Sequence, residues 1–150
     1  MLSVGDHFPT FTLADQNGNI VSLHDLTGSK AVIYFYPKDD TPGCTAEACD
    51  FQSSMTSFGG AKVIGVSPDP VKKHIKFADK YGLKFPLLAD PEKLLIVACG
   101  LWVEKSFMGK KYMGVNRTTY ILDENGIIVK IFEKVNPIGH AKDVAAFLAS

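Results

Sequence analysis

Two cysteines stand five residues apart in the segment Tyr36-Pro37-Lys38-Asp39-Asp40-Thr41-Pro42-Gly43-Cys44-Thr45-Ala46-Glu47-Ala48-Cys49. Cys44 falls where a loop rich in Thr, Pro and Gly turns into a helix. Free backbone N–H groups and the dipole at a helix start favour negative charge. The thiolate, not the thiol, is the nucleophile, so this is a place for thiol chemistry. Thr41 offers a hydroxyl that could donate to the sulfur or to a bound oxygen atom. Pro37 and Pro42 stiffen the loop, and Gly43 lets the backbone come close to a small substrate. The competing reading is a buried structural cysteine, because free Cys is among the most buried residue types. The position at a helix start, after such a loop, weighs against it.

Cys49 follows by about 140° of rotation and ~7.5 Å of rise on a regular helix, which separates the two Cα atoms by roughly 8.5–9 Å. A disulfide wants less than ~7 Å. The pair cannot join while the helix is intact, and joining requires its first turns to unwind. A half-buried spacer is the plainer reading of Cys49. The C-x4-C spacing is neither the C-x-x-C of dithiol oxidoreductases nor a zinc-ligand pair.

The elements that must position these residues are legible from periodicity and turn signals. Phe11–Ala14 and Ile20–Leu23 flank Asp15-Gln16-Asn17-Gly18-Asn19 and predict an N-terminal β-hairpin. Ala31–Tyr36 is apolar throughout, as befits a strand covered on both faces. Cys44–Phe58 carries an apolar stripe of Cys44, Ala48, Phe51, Met55 and Phe58, closed by Gly59-Gly60. Lys62–Ser67 is a second buried strand. Asp69 and Pro70 predict the cap and first residue of a helix with Val71, Ile75 and Ala78 inward, ending at Gly82. Leu87–Ala89 is a short strand, and Asp90-Pro91 starts a helix that stops at Gly100. Lys105–Asn116 is expected as loop. Thr118–Leu122 and Ile127–Phe132 flank Asp123-Glu124-Asn125-Gly126 as a hairpin. Asn136-Pro137 caps a last helix with Ala141, Val144, Ala145 and Leu148 on one face. This order predicts an α/β fold with a mixed central sheet and helices on both faces, and a thioredoxin-like architecture fits it.

Composition narrows the function. With 150 residues, one domain spanning 1–150 is expected. Lys plus Arg and Asp plus Glu both number 16, so the net charge is zero, which argues against a dedicated nucleic-acid binder. The longest nearly apolar stretch, Leu94 to Val103, is too short to span a membrane. Met1 to Pro9 carries Asp6 and His7 and has no apolar core of a signal peptide. Three cysteines without a secretion signal argue against structural disulfides and for a cytoplasmic home.

Pro37, Thr41 and Cys44 match the P-x-x-x-T-x-x-C signature of peroxiredoxins. The string Phe35-Tyr36-Pro37 through Cys49-Asp50-Phe51 resembles the bacterioferritin comigratory (peroxiredoxin Q) subfamily, and the likeness extends over nearly the whole chain, including Gly5-Asp6, Trp102–Gly109 and Arg117-Thr118-Thr119-Tyr120. The resemblance implies a thioredoxin-like fold and thiol-dependent reduction of hydrogen peroxide and organic hydroperoxides. It implies that Cys44 is the peroxidatic cysteine, that Thr41 hydrogen-bonds thiolate and peroxide, that Arg117 approaches the sulfur from a neighbouring strand, and that Pro37 shields the site. Glu47 matches an acidic residue of the motif, and Cys49 the resolving cysteine. It further implies recycling by thioredoxin, a monomer, and no need for metal, haem or flavin.

Blander readings stand beside these. Without the resemblance, Arg117 is a surface arginine at a strand end. Cys99 lies in an apolar helix and is expected in the core, and it is the rival resolver because some members place that cysteine in another helix. The four histidines show no ligand spacing. Lys105, Lys110 and Lys111 are expected on a solvated loop, and Asp39 and Asp40 as loop capping groups. Trp102 and Phe107 are expected in core packing, with an apolar wall near the site as the other option. From another functional class, the same thiol could serve a redox sensor or holdase, exposing Phe51 and Met55 when the helix unwinds. A dithiol reductase is disfavoured by the missing C-x-x-C.

Overall fold

The most apolar run in the sequence forms the middle of the sheet. A computed structural model describes residues 1–150. Strands β1 (Thr12–Ala14) and β2 (Ile20–Ser22) pair antiparallel, and the Asp15 carboxylate accepts the Asn17 and Asn19 amides to hold their turn. Then come β3 (Ala31–Phe35), α1 (Pro42–Ser54), a single 3-10 turn (Met55–Phe58), β4 (Lys62–Ser67), α2 (Val71–Tyr81) and β5 (Leu87–Ala89). Helix α3 (Leu94–Ala98), β6 (Trp102–Phe107), β7 (Lys110–Val115), β8 (Thr118–Leu122), β9 (Ile128–Phe132) and α4 (His140–Ala149) complete the chain.

The central sheet has the order β5-β4-β3-β8-β9. Strands β3, β4 and β5 run parallel, and β8 and β9 are antiparallel to their neighbours, with an irregularity at Ile121/Leu122. Alternation along β3 divides the interior into two cores. Val32, Tyr34 and Tyr36 face α1, α2 and α4, while Ala31, Ile33 and Phe35 face α3 and the N-terminal segment. The mixed sheet, the helices on its two faces and the N-terminal hairpin agree with the thioredoxin-like expectation.

Helix α1 is held on its inner side by Cys44, Ala48 and Phe51, and the Phe51 ring stacks on Tyr34 at 4.6 Å. Gly59 at φ 61° ends this stretch in the left-handed conformation that favours glycine.

Several expectations fail at their edges. Asp69 does not cap α2; its carboxylate accepts the Ser67 hydroxyl and the Asp39 amide instead. The inner face of α2 is His74, Phe77 and Ala78, with Ile75 exposed. Apolar spacing could not reveal this, because His74 is polar and is buried by virtue of distant partners. Helix α3 is shorter than expected, although Asp90 still accepts the Leu94 and Ile96 amides at its start. Asn136 closes a local turn on the Ile138 amide, and α4 begins only at His140.

The largest correction is at Lys105–Asn116. This stretch is mostly strand, not loop: β6 and β7 form a hairpin with Met108 (φ 51°) and Gly109 (φ 80°) in the turn. Two successive positive φ angles suit a tight hairpin, but Met is not a residue that announces one. Phe107 is exposed at its end rather than packed in a core, and Trp102 leans on the core with Lys93 Nζ 4.9 Å from its ring.

Candidate active site

The site is built at the carboxyl end of β3, where ligands bind in open α/β sheets. Pro37 is half-buried just beyond the strand. Asp40 turns the chain with φ 57°, and Thr41 is the N-cap of α1. Pro42 tolerates the first helical position because its missing N–H would have no partner there. Cys44 thus sits in the first turn, buried, with a free thiol.

Arg117 immediately precedes β8, which pairs with β3, and this register carries its side chain to the start of α1. Its Nη2 donates to Cys44 Sγ at 3.1 Å, and its Nη1 to Glu47 Oε1 at 2.6 Å. Burial works against the Arg117 charge, but Glu47 and Cys44 outweigh it and raise its pKa. Burial is also the main influence on Glu47, pushing it up to about 7 against the opposing pull of Arg117. Glu47 Oε2, the Tyr34 hydroxyl and Thr118 Oγ1 are buried without a hydrogen-bond partner. A Cβ at Gly43 would lie 3.6 Å from Arg117 Nη2 and 3.4 Å from Pro137 Cγ, so the glycine leaves space directly beside the guanidinium.

The other candidate residues take no part in this bridge. The Thr41 hydroxyl donates to the Lys38 carbonyl at 2.9 Å rather than to the sulfur. Cys49 is half-buried and lines an open groove of about 350 Å³ between α1 and Pro137, Ile138 and Gly139. Both cysteines lie within the intact α1 and are unlinked. Cys99 is buried in the core on the other face of the sheet, and burial, followed by the charge of Asp90, pushes its thiol up to about 12.

Sequence reasoning missed three neighbours. Lys105, expected on a solvated loop, is half-buried; burial and the Arg117 charge lower its pKa, and Cys44 opposes them. Asp39 is no loop cap: it is buried against His74, with Nδ1 2.6 Å from Oδ2. His140 Nε2 lies 2.8 Å from Thr119 Oγ1. Only the string of two aspartates in the loop hinted at the second of these. No three His, Cys, Asp or Glu side chains converge to hold a metal ion. No helix is long and apolar enough to cross a membrane.

A thiol at a helix start, bridged by an arginine to a buried carboxylate, is equipped for attack on an electrophile whose leaving atom gathers negative charge. The comparisons with known proteins agree. Residues 4–131 match the AhpC/TSA family. The chain is 44 % identical over 144 residues to peroxiredoxin Bcp of Bacillus subtilis, covering 95 % of this chain and 92 % of that protein. Peroxiredoxin Bcp of Escherichia coli K12 is 40 % identical over 141 residues, 93 % of this chain and 90 % of the relative. Among solved structures, the bacterioferritin comigratory protein of Xanthomonas campestris, described with alkyl peroxide reduction activity, superposes with a TM-score of 0.87 at 40 % identity, covering 93 % of this chain and 90 % of that one. A peroxiredoxin Q variant of Xylella fastidiosa gives 0.93 at 32 % identity, covering 99 % and 96 %. The family match and the full-length relatives point the same way as the thiol and its arginine: the chain belongs to the AhpC/TSA family and is a thioredoxin-fold peroxiredoxin of the bacterioferritin comigratory kind.

Proposed function

We propose that this chain reduces hydrogen peroxide and alkyl hydroperoxides at Cys44, forms a Cys44–Cys49 disulfide, and is recycled by thioredoxin. The observation that carries the reading is the 3.1 Å contact of Arg117 Nη2 with Cys44 Sγ at the first turn of α1. The sulfur attacks the terminal peroxide oxygen, the O–O bond breaks, and the leaving oxygen takes a proton to become water or an alcohol. Cys44 is left as a sulfenic acid. Donors aimed at the leaving oxygen act where charge develops and so accelerate the step. Arg117 is one such donor. Thr41 becomes another once its hydroxyl turns from the Lys38 carbonyl. Pro37 shields the sulfur, and Gly43 leaves room for the substrate.

Cys49 then attacks the Cys44 sulfur, water leaves, and a disulfide forms. This step needs the turns from Pro42 to Cys49 to open, because the helix holds the two cysteines apart. An external dithiol reduces the disulfide by exchange. The protein works as a monomer in the cytoplasm and requires no cofactor. Peroxide consumption with a thioredoxin system tests the reading. Cys44→Ser should abolish it, and retention of activity would refute the assignment. Phe51, fully buried on the inner face of α1, would be uncovered by the same opening, so a second reading is a redox switch that a partner recognises. A reaction with peroxide no faster than that of an ordinary free thiol would favour that reading.

A further inference from the structure

The segment from Pro37 to Thr41, which leads into Cys44, is tied down by residues that no step above uses. Asp39 Oδ1 accepts the Tyr36 hydroxyl at 2.6 Å, and Oδ2 meets His74 Nδ1 at 2.6 Å. The Asp39 amide donates to Asp69 Oδ2 at 2.8 Å, and Ser67 Oγ donates to the same oxygen. The other ring nitrogen of His74, Nε2, lies 3.1 Å from the Leu88 carbonyl of β5. His74 is fully buried and Asp39 nearly so. Beside them, Asp40 accepts Lys80 Nζ at 2.9 Å and the Tyr81 hydroxyl at 2.6 Å. Helix α2 therefore grips two successive residues of the loop.

The hydrogen count in this cluster is constrained. The Leu88 carbonyl can only accept, so Nε2 carries a hydrogen. The Nδ1–Oδ2 contact then holds one proton, and the pair is neutral as a whole: imidazolium with carboxylate, or imidazole with carboxylic acid. A buried pair of this kind is a poor source of stability, since apolar side chains of similar volume often serve as well. What it supplies is direction, because the side chain and amide of Asp39 are bonded at once to Tyr36, His74 and Asp69. The cysteine-bearing turns that follow have no such anchor in the clamp. Disulfide formation must open them, while the loop before them keeps its own supports.

We propose that Asp39 and His74 are positioning residues of the peroxide site: they fix Pro37–Thr41 against α2 and β5, so that α1 opens only beyond Thr41 and the substrate-facing loop stays built through the whole cycle. The inference rests on the reading of Cys44 and Cys49 given under the proposed function.

The test compares the reaction of Cys44 with hydrogen peroxide and with iodoacetamide, which needs no leaving oxygen to be held. Asp39→Ala and His74→Phe should slow the peroxide reaction at least ~10-fold, given that small misplacements of reacting groups cost up to ~100-fold. Alkylation should change by less than about 3-fold. Asp39→Asn should recover most of the lost peroxide rate, because its amide can donate to Nδ1 while its oxygen accepts from Tyr36. Equal slowing of both reactions, or wild-type peroxide rates in Asp39→Ala and His74→Phe, would overturn the proposal. Should those variants fail to fold, hydrogen exchange on the wild-type protein decides. The Asp39 amide should stay protected in both dithiol and disulfide forms while amides 45–48 lose protection in the disulfide. Loss at Asp39 together with them would overturn the clamp. A wild-type Cys44 no faster with peroxide than a free thiol would instead overturn the functional reading beneath it.

Discussion

Cys44 and Arg117 lie 73 positions apart in the chain, and the guanidinium Nη2 stands 3.1 Å from the sulfur. One turn further along α1, Glu47 Oε1 accepts from Nη1 at 2.6 Å, so one planar fork bridges two side chains of the same helix. The fork aims the positive group at the sulfur as well as placing it nearby.

Arg117→Ala should lower the second-order rate of Cys44 with peroxide by roughly 10²–10³, the usual effect of removing one preorganised donor. Arg117→Lys should recover only part of it, because a point charge cannot bridge both partners. Stopped-flow kinetics decide, and an unchanged rate in Arg117→Ala would exclude a direct role.

Glu47 makes stability depend on pH. Burial raises its pKa from 4.5 to about 7 in the folded protein, so the folded state binds this proton more tightly than the unfolded chain does. Stability from this group is therefore greatest below its unfolded value and is lost as pH rises toward 7, by about 3 kcal/mol over the window. Urea unfolding at about pH 5 and about pH 8 should show the decline in the wild type and not in Glu47→Gln. Parallel behaviour of the two proteins would count against it.

Cys49→Ser should stop turnover with thioredoxin and leave one oxidation event per chain, read as peroxide consumed per protein. Continued cycling would remove Cys49 from the resolving role.

Cys99 is separated from Cys44 by the central sheet, and burial keeps its thiol protonated up to about 12. Iodoacetamide at about pH 8 should label Cys44 and Cys49 in the native protein and reach Cys99 only after denaturation. Cys99→Ala should cost about 1–2 kcal/mol of stability through the space it leaves. A loss of thioredoxin-dependent cycling in that variant would make Cys99 the resolver.

What the sequence disclosed was what neighbours in sequence determine. The buried run of β3, a helix with Cys44 in its first turn, the Gly59 and Gly82 ends and the Asp123–Gly126 turn all rest on local chemistry. Arg117 could be placed beside Cys44 only through the family likeness, because nothing at a strand end tells which distant side chain it will meet. His74 was out of reach for the same reason: a histidine faces inward only if partners such as Asp39 and Leu88 await it. The β6–β7 hairpin hid behind its lysines and a methionine in the turn. Thr41 is expected to donate to the sulfur or to a bound oxygen atom, but its hydroxyl donates to the Lys38 carbonyl.

The two cysteines share an unbroken helix, and in the proposed cycle that ties chemical endurance to local melting. In that cycle, how long a sulfenic acid on Cys44 waits depends on how often the stretch from Pro42 to Cys49 comes undone. Any neighbour that stiffens those turns prolongs the wait and gives a second peroxide time to drive the sulfur to the irreversible sulfinic state. A sturdier helix would make a more fragile catalyst.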